Sequence, residues 1–346
     1  MKNAFFFSGR RRSFLPCALS LIWLLATGAF GIDEMSYSGD YEEKVLPYFE
    51  SGEFGTFTGT GGVDIAYGAF ERSSDVGALI VLTGVPESYI KYAEVIYDLR
   101  DLDLSTYVMD YRGVGFSGRM LDDAARTHVD SFSNYVEDLA IFYREIVSRK
   151  SYDKLFFLAH STGAAMVSAL LADYEIKADA CVFTSPLFQV NTGAIPIFIA
   201  VPLVATLAGT GKAAEFAPGQ GYVSAAIYEG NPTTTSYDRW ERWEKQIVDE
   251  HEELRFTGYT NGWVQESFRG SRYARRVAKK LVVPILILQA EKDVYTTRTG
   301  QRLFSNRAEN CEMVRIPDSK HELLMERDEV RNDVLERTRS FILRYR

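Results

Sequence analysis

The sequence predicts an α/β protein with a mostly parallel sheet, helices on both faces of that sheet and an inserted helical cap. Three observations indicate this fold class. From residue 77 onward, near-continuous apolar runs such as GALIVLTG, KLFFLAH and VPILILQA alternate with segments of helical periodicity. Strands that are apolar throughout are typical of a parallel sheet buried on both faces. The alternation is interrupted between residues 188 and 277, a stretch far longer than one crossover helix needs.

The chain begins with a segment typical of an export signal. Lys2 and the run Arg10, Arg11 and Arg12 precede apolar residues 14–30, which end in small residues. An uncleaved anchor fits almost as well, because a membrane span needs about 20 apolar residues. We therefore expect residues 1–31 to be a signal peptide or a membrane anchor. The protein would then be periplasmic, extracellular or anchored to the membrane, with residues 32–346 forming one α/β domain.

Composition narrows the range of partners and cofactors. The chain carries a formal net charge of −8, and residues 1–31 contribute four cations and no acid, so the remainder is more acidic still. Such a surface argues against nucleic acid as a partner. Cys181 and Cys311 lie in or beside strand-like runs, so we expect free thiols and no disulfide framework. The histidines are scattered and no Cys/His cluster has zinc spacing, so neither a metal nor a cofactor is expected.

The remaining elements follow from periodicity. Further strands are expected in STYVMDYR, ADACVFTSP and CEMVRIPD, and an antiparallel hairpin at the sheet edge over residues 58–72. Helices are expected in SYIKYAEVIYDLRDL, SFSNYVEDLAIFYREIVSRK and the C-terminal ERDEVRNDVLERTRSFILRYR.

The predicted cap, residues 188–277, has two parts. Pro196 and Pro202 interrupt its apolar first part, AIPIFIAVPLVATLAG, which makes this segment a poor membrane span and a better lining for an apolar pocket. Its second part, SYDRWERWEKQIVDEHEEL, is a charged helix with Trp240 and Trp243 on one side. That pattern fits acyl-chain binding and simple packing on the sheet equally well.

The strongest chemical signal is LFFLAHSTGAAM, where an apolar strand ends just before Ser161 and a helix of small residues begins at Thr162. A strand–turn–helix with a serine on the turn is a nucleophile elbow, the mark of the α/β-hydrolase fold. The tight turn needs small residues two positions before and after the nucleophile. Ala159 and Gly163 stand there, so the usual GxSxG pattern is changed by one methyl group.

A serine nucleophile needs a base and a group that orients the base, in the chain order nucleophile, acid, histidine. His321 is the one histidine that follows the last strand, in IPDSKHELL, so we predict it as the base. The loop after VPILILQA offers Glu291 and Asp293. We favour Asp293 because Glu291 directly follows the strand, and Asp318 in PDSK is a third candidate that reads better as a turn residue.

The predicted oxyanion hole needs two backbone N–H donors. Thr162 follows the nucleophile and supplies one. After the strand GALIVLTG, Val85 is the expected second donor, because Pro86 has no N–H and Gly84 lets the backbone approach closely. The glycines of MDYRGVGFSGR have dinucleotide-like spacing, but no helix opens on them. We read them as a loop at the pocket rim, with Asp110 and Arg112 paired.

Together these motifs resemble the bacterial lysophospholipases and the related monoacylglycerol lipases, within the serine aminopeptidase-like α/β hydrolases. The resemblance runs from about residue 61 to the C-terminus and rests on GVPESYIKYAEVIYDL, MDYRGVGFSGR, LAHSTG, NPTTTSYDRWERW, LILQAEKD and KHELLMERD. It implies hydrolysis of the carboxylic ester of a single-acyl lipid, with Ser161, Asp293 and His321 matching the triad motifs. Many relatives have His-Gly where this chain has Thr83-Gly84, a departure that bears on substrate preference.

The expected activity is therefore that of a serine hydrolase acting through an acyl-enzyme on a lysophospholipid or a monoacylglycerol, with possible association with a membrane surface. A peptidase or amidase of the same fold is the enzymatic alternative, and acidic groups for a substrate amine would mark it. A catalytically silent binding module is the alternative from another class. Epoxide hydrolases and haloalkane dehalogenases are disfavoured because their nucleophile is an aspartate.

Overall fold

The structure is a computed structural model that describes residues 31–73, 76–222 and 226–346. Residues 1–30, and with them nearly all of the predicted signal peptide or anchor, lie outside the described residues. In the part that is described, no helix is both long and apolar enough to cross a bilayer.

The core of the fold is an eight-stranded, mostly parallel sheet, as the apolar runs predict. The strands along the chain are β1 (Glu53–Thr58), β2 (Asp64–Phe70), β3 (Ala78–Leu82), β4 (Ser105–Met109), β5 (Arg126–Thr127), β6 (Leu155–His160), β7 (Ala180–Thr184), β8 (Gly258–Tyr259), β9 (Ile285–Ala290) and β10 (Cys311–Ile316). The order in the large sheet is β1-β2-β4-β3-β6-β7-β9-β10, and β5 pairs with β8 separately. From β4 to β10 all neighbours are parallel.

The antiparallel hairpin of β1 and β2 forms one edge of the sheet, as expected, but begins at Glu53 instead of residue 58. The sequence pattern does not predict this earlier start, because β1 is an edge strand in which only Phe57 is buried. Phe57 carries too little apolar signal to mark a strand by itself.

Side chains that alternate along the central strands build two cores, one on each face of the sheet. Ile80 and Leu82 contribute to the first core, whereas Leu79 and Val81 contribute to the second. This alternation follows from the two-residue repeat of a strand. Because both faces are covered, every residue of β3, β6, β7 and β9 is buried.

Helices cover both faces and continue into the segment between β7 and β9. They are α1 (Tyr37–Asp40), α2 (Leu46–Glu50), α3 (Ala93–Asp98), α4 (Phe132–Glu145), α5 (Thr162–Asp173), α6 (Ile197–Leu207), α7 (Tyr237–Glu241), α8 (Val248–Glu250), α9 (Asn261–Val277), α10 (Arg298–Ser305) and α11 (Asp328–Tyr345). A π-helical turn, Arg242–Ile247, joins α7 to α8. Helix α9 packs against α5 in the core, and α6 packs on α9 through Ala200, Val204 and Phe268.

A buried ionic group, the Arg239 cluster of Arg239, Glu94 and Asp328, joins α7 to the core. The Arg239 side chain is fully buried, and its Nη2 lies 2.8 Å from an oxygen of Glu94 on α3 and 2.9 Å from one of Asp328 at the start of α11. A buried guanidinium is stable only when its charge and its donors are satisfied. The cluster therefore fixes α7 to two core helices.

Candidate active site

Ser161 lies on a strained turn between β6 and α5. Its φ of 49° and ψ of −112° are rare for a residue with a side chain, and such strain persists only where the surroundings hold it. The Ser161 N–H donates to the carbonyl of Thr184 at 3.0 Å, and its own carbonyl accepts from Leu187 at 2.9 Å. A methyl group on Gly163 would come within 2.8 Å of the Thr83 carbonyl oxygen, so the turn requires a glycine there.

The structure brings Ser161, His321 and Asp293 into one hydrogen-bonded chain. His321 Nε2 lies 3.1 Å from Ser161 Oγ, and His321 Nδ1 lies 2.9 Å from Asp293 Oδ2. Asp293 is held in turn by the N–H groups of Tyr295 and Thr296, which donate to its Oδ1 at 2.8 and 3.0 Å. This is the geometry of a nucleophile, a base and a group that orients the base.

The charges in this chain are tuned by burial and by mutual contact. Burial by itself would lower the pKa of His321, but the Asp293 carboxylate together with Glu322 and Glu87 outweighs it, so the pKa of His321 is raised. Burial would raise the pKa of Asp293, yet His321 and the hydroxyl of Thr296 lower it overall. Asp293 is therefore an anion at neutral pH that stabilises a proton on the imidazole.

The two other acid candidates lie elsewhere. Glu291 accepts the N–H of Asp318 at 2.8 Å and pairs with Arg315 at 2.7 Å. Asp318 pairs with Lys292 at 2.9 Å. Of the three carboxylates considered from the sequence, Asp293 is the one in contact with His321.

The two predicted oxyanion donors, Val85 and Thr162, both line the cavity that contains Ser161 and His321. Within the described ranges, neither backbone N–H donates to a protein acceptor. Thr162 is the first residue of α5, where the helix dipole favours negative charge. A methyl group on Gly84 would lie 3.3 Å from Ser161 Cβ, which shows how closely this loop approaches the serine.

One predicted pair is wrong. Arg112 binds Asp138 on α4, with its Nη2 2.6 Å from the carboxylate, and does not pair with Asp110. Asp110 instead accepts the N–H groups of Tyr89 and Phe116 at 2.7 Å each. Asp110 and Arg112 are two residues apart in the chain but bind different neighbours. Through Asp110, their loop holds the segment that follows β3.

His160, which directly precedes Ser161, has a structural environment. It is buried, its Nδ1 lies 3.1 Å from the Thr184 carbonyl oxygen, and its ring is centred 4.7 Å from that of His321. Burial lowers the pKa of His160 to about 4, despite the nearby Glu87, so this ring is neutral at physiological pH. His160 therefore places no positive charge beside His321 at that pH.

Above Ser161 lies a cavity of about 620 Å³ with two different walls. The floor is the core wall, formed by the loops that carry Ser161, His321 and the oxyanion donors, and it also contains Glu87, Lys91 and Glu322. The roof is the wall from the segment between β7 and β9. Most of its side chains are apolar: Val190, Ile195, Ala200, Leu203, Val204, Trp240, Trp243, Val264 and Phe268. The size is that of an ordinary small-molecule site.

Lys91 and Glu322 are not identifiable as site residues from the sequence. Each is charged and buried beside the predicted site, but helix periodicity marks Lys91 only as one polar position in SYIKYAEVIYDL. Glu322 follows His321 directly, and that adjacency was the one available signal. In the described ranges, no histidine, cysteine and acidic side chains are grouped to hold a metal ion.

The sheet order, the elbow and the acid–base chain define an α/β hydrolase. Comparison with known families supports this assignment: residues 73–328 match the family described as serine aminopeptidase, S33, and the chain belongs to that family.

Among characterised relatives, the chain is 30% identical to lysophospholipase L2 of Escherichia coli over 84% of this chain and 87% of that protein. It is 26% identical to a monoacylglycerol lipase of Mycolicibacterium smegmatis over 78% of this chain and 90% of that protein. A solved monoglyceride lipase from Saccharomyces cerevisiae shares the fold, with a TM-score of 0.67 at 14% identity over 85% of this chain and 95% of that one. The chain is a carboxylic ester hydrolase of the α/β-hydrolase fold.

Proposed function

We propose that this protein hydrolyses the ester of a single-acyl lipid, a lysophospholipid or a monoacylglycerol, through an acyl-enzyme on Ser161. The observation that carries the proposal is the hydrogen-bonded chain of Ser161, His321 and Asp293 at the floor of a cavity with an apolar roof. The similarity to lysophospholipase L2 and to monoacylglycerol lipases supports the substrate class.

Acylation begins when His321 Nε2 accepts the hydroxyl proton of Ser161 as Oγ attacks the carbonyl carbon of the ester. The carbonyl oxygen becomes an oxyanion, which the N–H groups of Val85 and Thr162 bind. Asp293 holds Nδ1–H of His321 and stabilises the imidazolium. When the tetrahedral intermediate collapses, the C–O bond to the alcohol breaks and the imidazolium gives its proton to that alcohol.

Deacylation repeats these steps with water. His321 removes a proton from a water molecule, whose oxygen attacks the acyl carbon on Ser161. The second intermediate collapses, Oγ leaves with the proton from His321, and the fatty acid departs. Both half-reactions use the same donors, so loss of either N–H would slow each of them.

The roof supports a long acyl chain as the occupant. Leu203, Val204 and Phe268 line it together with the other apolar side chains named above, and a hydrocarbon that displaces water from them gains about 25 cal/mol per Å² buried. The acyl chain would lie along this wall, which places the ester over Ser161.

An apolar face of the roof is also turned outward. On α6, Phe198 is 75% exposed, Ile199 is 48% exposed and Val201 is 38% exposed, and these three side chains do not line the cavity. Contiguous apolar surface on this scale marks an interaction site. We propose that this face contacts the membrane from which the substrate comes, with the protein exported or anchored through residues 1–31.

A peptidase or amidase is the second candidate, and one observation favours it. Glu244 lines the cavity, burial raises its pKa, and within the described ranges no donor bonds to its carboxylate. It could receive a substrate amine. Glu87 and Glu322, the other cavity glutamates, are already paired with Lys91.

A substrate panel tests the proposal. The purified protein is incubated with lysophospholipids, monoacylglycerols, short esters and aminoacyl amides, beside a Ser161→Ala control. We expect the lipid esters to be hydrolysed best and kcat of Ser161→Ala to fall on the order of a million-fold. Preference for the amides would overturn the lipid proposal, and near-normal activity of Ser161→Ala would overturn the assignment of the nucleophile.

A further inference from the structure

A buried ammonium group lies between the two loops of the floor. Lys91, in the 3₁₀ turn Tyr89–Tyr92, has its Nζ 2.8 Å from a carboxylate oxygen of Glu87 and 2.8 Å from one of Glu322. The Lys91 side chain is only 6% exposed, and all three residues line the cavity. We call this group the Lys91 cluster.

The Glu87 carboxylate of the cluster closes the loop that follows β3 and carries Val85. We call this loop the oxyanion loop. The Gly84 N–H donates to Glu87 Oε2 at 2.8 Å, and the Glu87 N–H donates back to the Gly84 carbonyl at 3.0 Å. The phenol of Tyr92 also donates to Oε2, at 2.9 Å. Glu87 thus fixes the residue just before Val85, so its position sets the direction of the Val85 N–H.

The Glu322 carboxylate belongs to the loop that carries His321, which we call the histidine loop. Glu322 directly follows His321, and its N–H donates to the carbonyl of Thr233 in the cap at 2.9 Å. The Lys91 ammonium also lies 5.3 Å from the ring centre of Trp243, a residue of the roof. One cation therefore contacts the oxyanion loop, the histidine loop and the cap.

The charges show that the cluster depends on Lys91. Burial would lower the pKa of Lys91, but Glu322 and Glu87 outweigh it and raise the pKa, so the group stays an ammonium. Burial works to raise the pKa of Glu87, yet Lys91 holds it at about 2. Burial raises the pKa of Glu322 to about 7 even with Lys91 beside it. Without the cation, two buried carboxylates would lose the positive charge that both contact and would repel each other.

We propose that Lys91 is a positioning residue for ester hydrolysis, which holds the oxyanion loop and the histidine loop in their working arrangement through Glu87 and Glu322. It acts through these two glutamates and not on the reacting atoms. The inference rests on the proposed roles of Val85 and His321 in the function above.

The test compares Lys91→Met, Glu87→Gln and the double variant, with p-nitrophenyl butyrate as the ester. We expect Lys91→Met to lower kcat at least about tenfold, below the roughly 100- to 1000-fold effect of losing an oxyanion donor outright. KM should stay within about twofold, because this small ester does not need the cap. In the Glu87→Gln background the same change should cost clearly less, because the two residues act as one unit.

Lys154→Met is the matched control. Lys154 pairs with Asp179 at 2.9 Å next to the first residue of β6, at the opposite end of that strand from Ser161. Its loss should leave kcat unchanged. Thermal unfolding of each variant separates a folding defect from a kinetic one.

Glu322→Gln provides a second variant should Lys91→Met fail to fold, because it keeps the pair of Lys91 and Glu87. Glu322 contributes to the raised pKa of His321, so this variant should lower kcat and move the acidic limb of the pH profile of kcat/KM to lower pH. A merely structural contact would not move that limb.

A folded Lys91→Met variant with kcat within twofold of wild type would overturn the proposal, as would fully additive effects in the double variant. A folded Glu322→Gln variant with kcat within twofold of wild type would also contradict it. Wild-type protein that hydrolyses p-nitrophenyl butyrate but no lipid ester would contradict the substrate class alone, so the two proposals fail in different experiments.

Discussion

The floor and the roof of the cavity are built in different ways. On the floor, Ser161 and His321 are each only 7% exposed, and Ser161, His321 and Asp293 are joined by hydrogen bonds. On the roof, Phe198 is 75% exposed and the lining is mostly aliphatic and aromatic. Under the proposed function, the floor would determine which bond is broken and the roof would select the molecule that carries this bond.

The largest expected effect comes from replacing Asp293, the acidic residue of the floor that contacts His321. Asp293→Asn should lower kcat by about 10⁴, because the imidazole would lose the group that holds its tautomer and stabilises its charge. Glu291→Gln, two residues earlier, is the control and should stay within about twofold. Rates on p-nitrophenyl butyrate decide between them, and a large loss in Glu291→Gln would reassign the acid.

A substitution that weakens the attachment of the roof to the core should lower the free energy of unfolding. Arg239→Met removes a fully buried guanidinium and leaves the buried Glu94 with Arg331 as its one remaining cation, which should lower the free energy of unfolding by about 3–5 kcal/mol. Arg255→Met breaks a half-exposed pair with Asp249 on the cap surface and should cost about 0–1 kcal/mol. Urea unfolding measures both, and equal losses would mean that the buried cluster adds nothing.

The outer face of the roof should matter for substrate in a membrane. Phe198→Ser removes its most exposed ring, and partial insertion of that ring would contribute about 1 kcal/mol, so binding to lipid vesicles should weaken about fivefold. Val282→Ser, an exposed residue beside the start of β9 at the other end of the sheet, is the control. Vesicle sedimentation measures binding, and unchanged binding of Phe198→Ser would remove α6 from the membrane contact.

The smallest expected effect is a displacement of the pH profile. His321 must be neutral to accept the proton of Ser161, so kcat/KM should fall as the pH drops through the His321 pKa. Because Asp293 raises that pKa, the acidic limb should lie above the ordinary histidine value of about 6.5. Initial rates on p-nitrophenyl butyrate between pH 5 and 9 locate the limb, and a midpoint below the ordinary value would show that burial outweighs Asp293.

The elements of the floor were predictable because they depend on local patterns. Apolar runs marked β3, β6 and β9, and small residues around Ser161 marked the elbow. The chain order of the fold then selected His321, and the position of Asp293 beyond the strand end favoured it over Glu291. Each inference needed only a local pattern or the order of the segments along the chain.

The clusters that connect separate segments were not predictable in this way. Lys91 and Glu322 lie far apart in the chain, and nothing in either segment identifies the other as its partner. The predicted pairing of Asp110 with Arg112 is wrong for the same reason, because nearness in sequence does not imply contact, and Arg112 binds Asp138 on α4. The strands β5 and β8, of two residues each, are too short to show a period.

The most direct test of the central claim is covalent labelling of Ser161. Wild-type protein and Ser161→Ala are treated with a fluorophosphonate and examined by intact mass and peptide mapping. The account predicts one adduct per wild-type molecule, located on Ser161, and none on Ser161→Ala. Equal labelling of the variant, or a wild-type protein that resists the reagent, would contradict a serine nucleophile at this site.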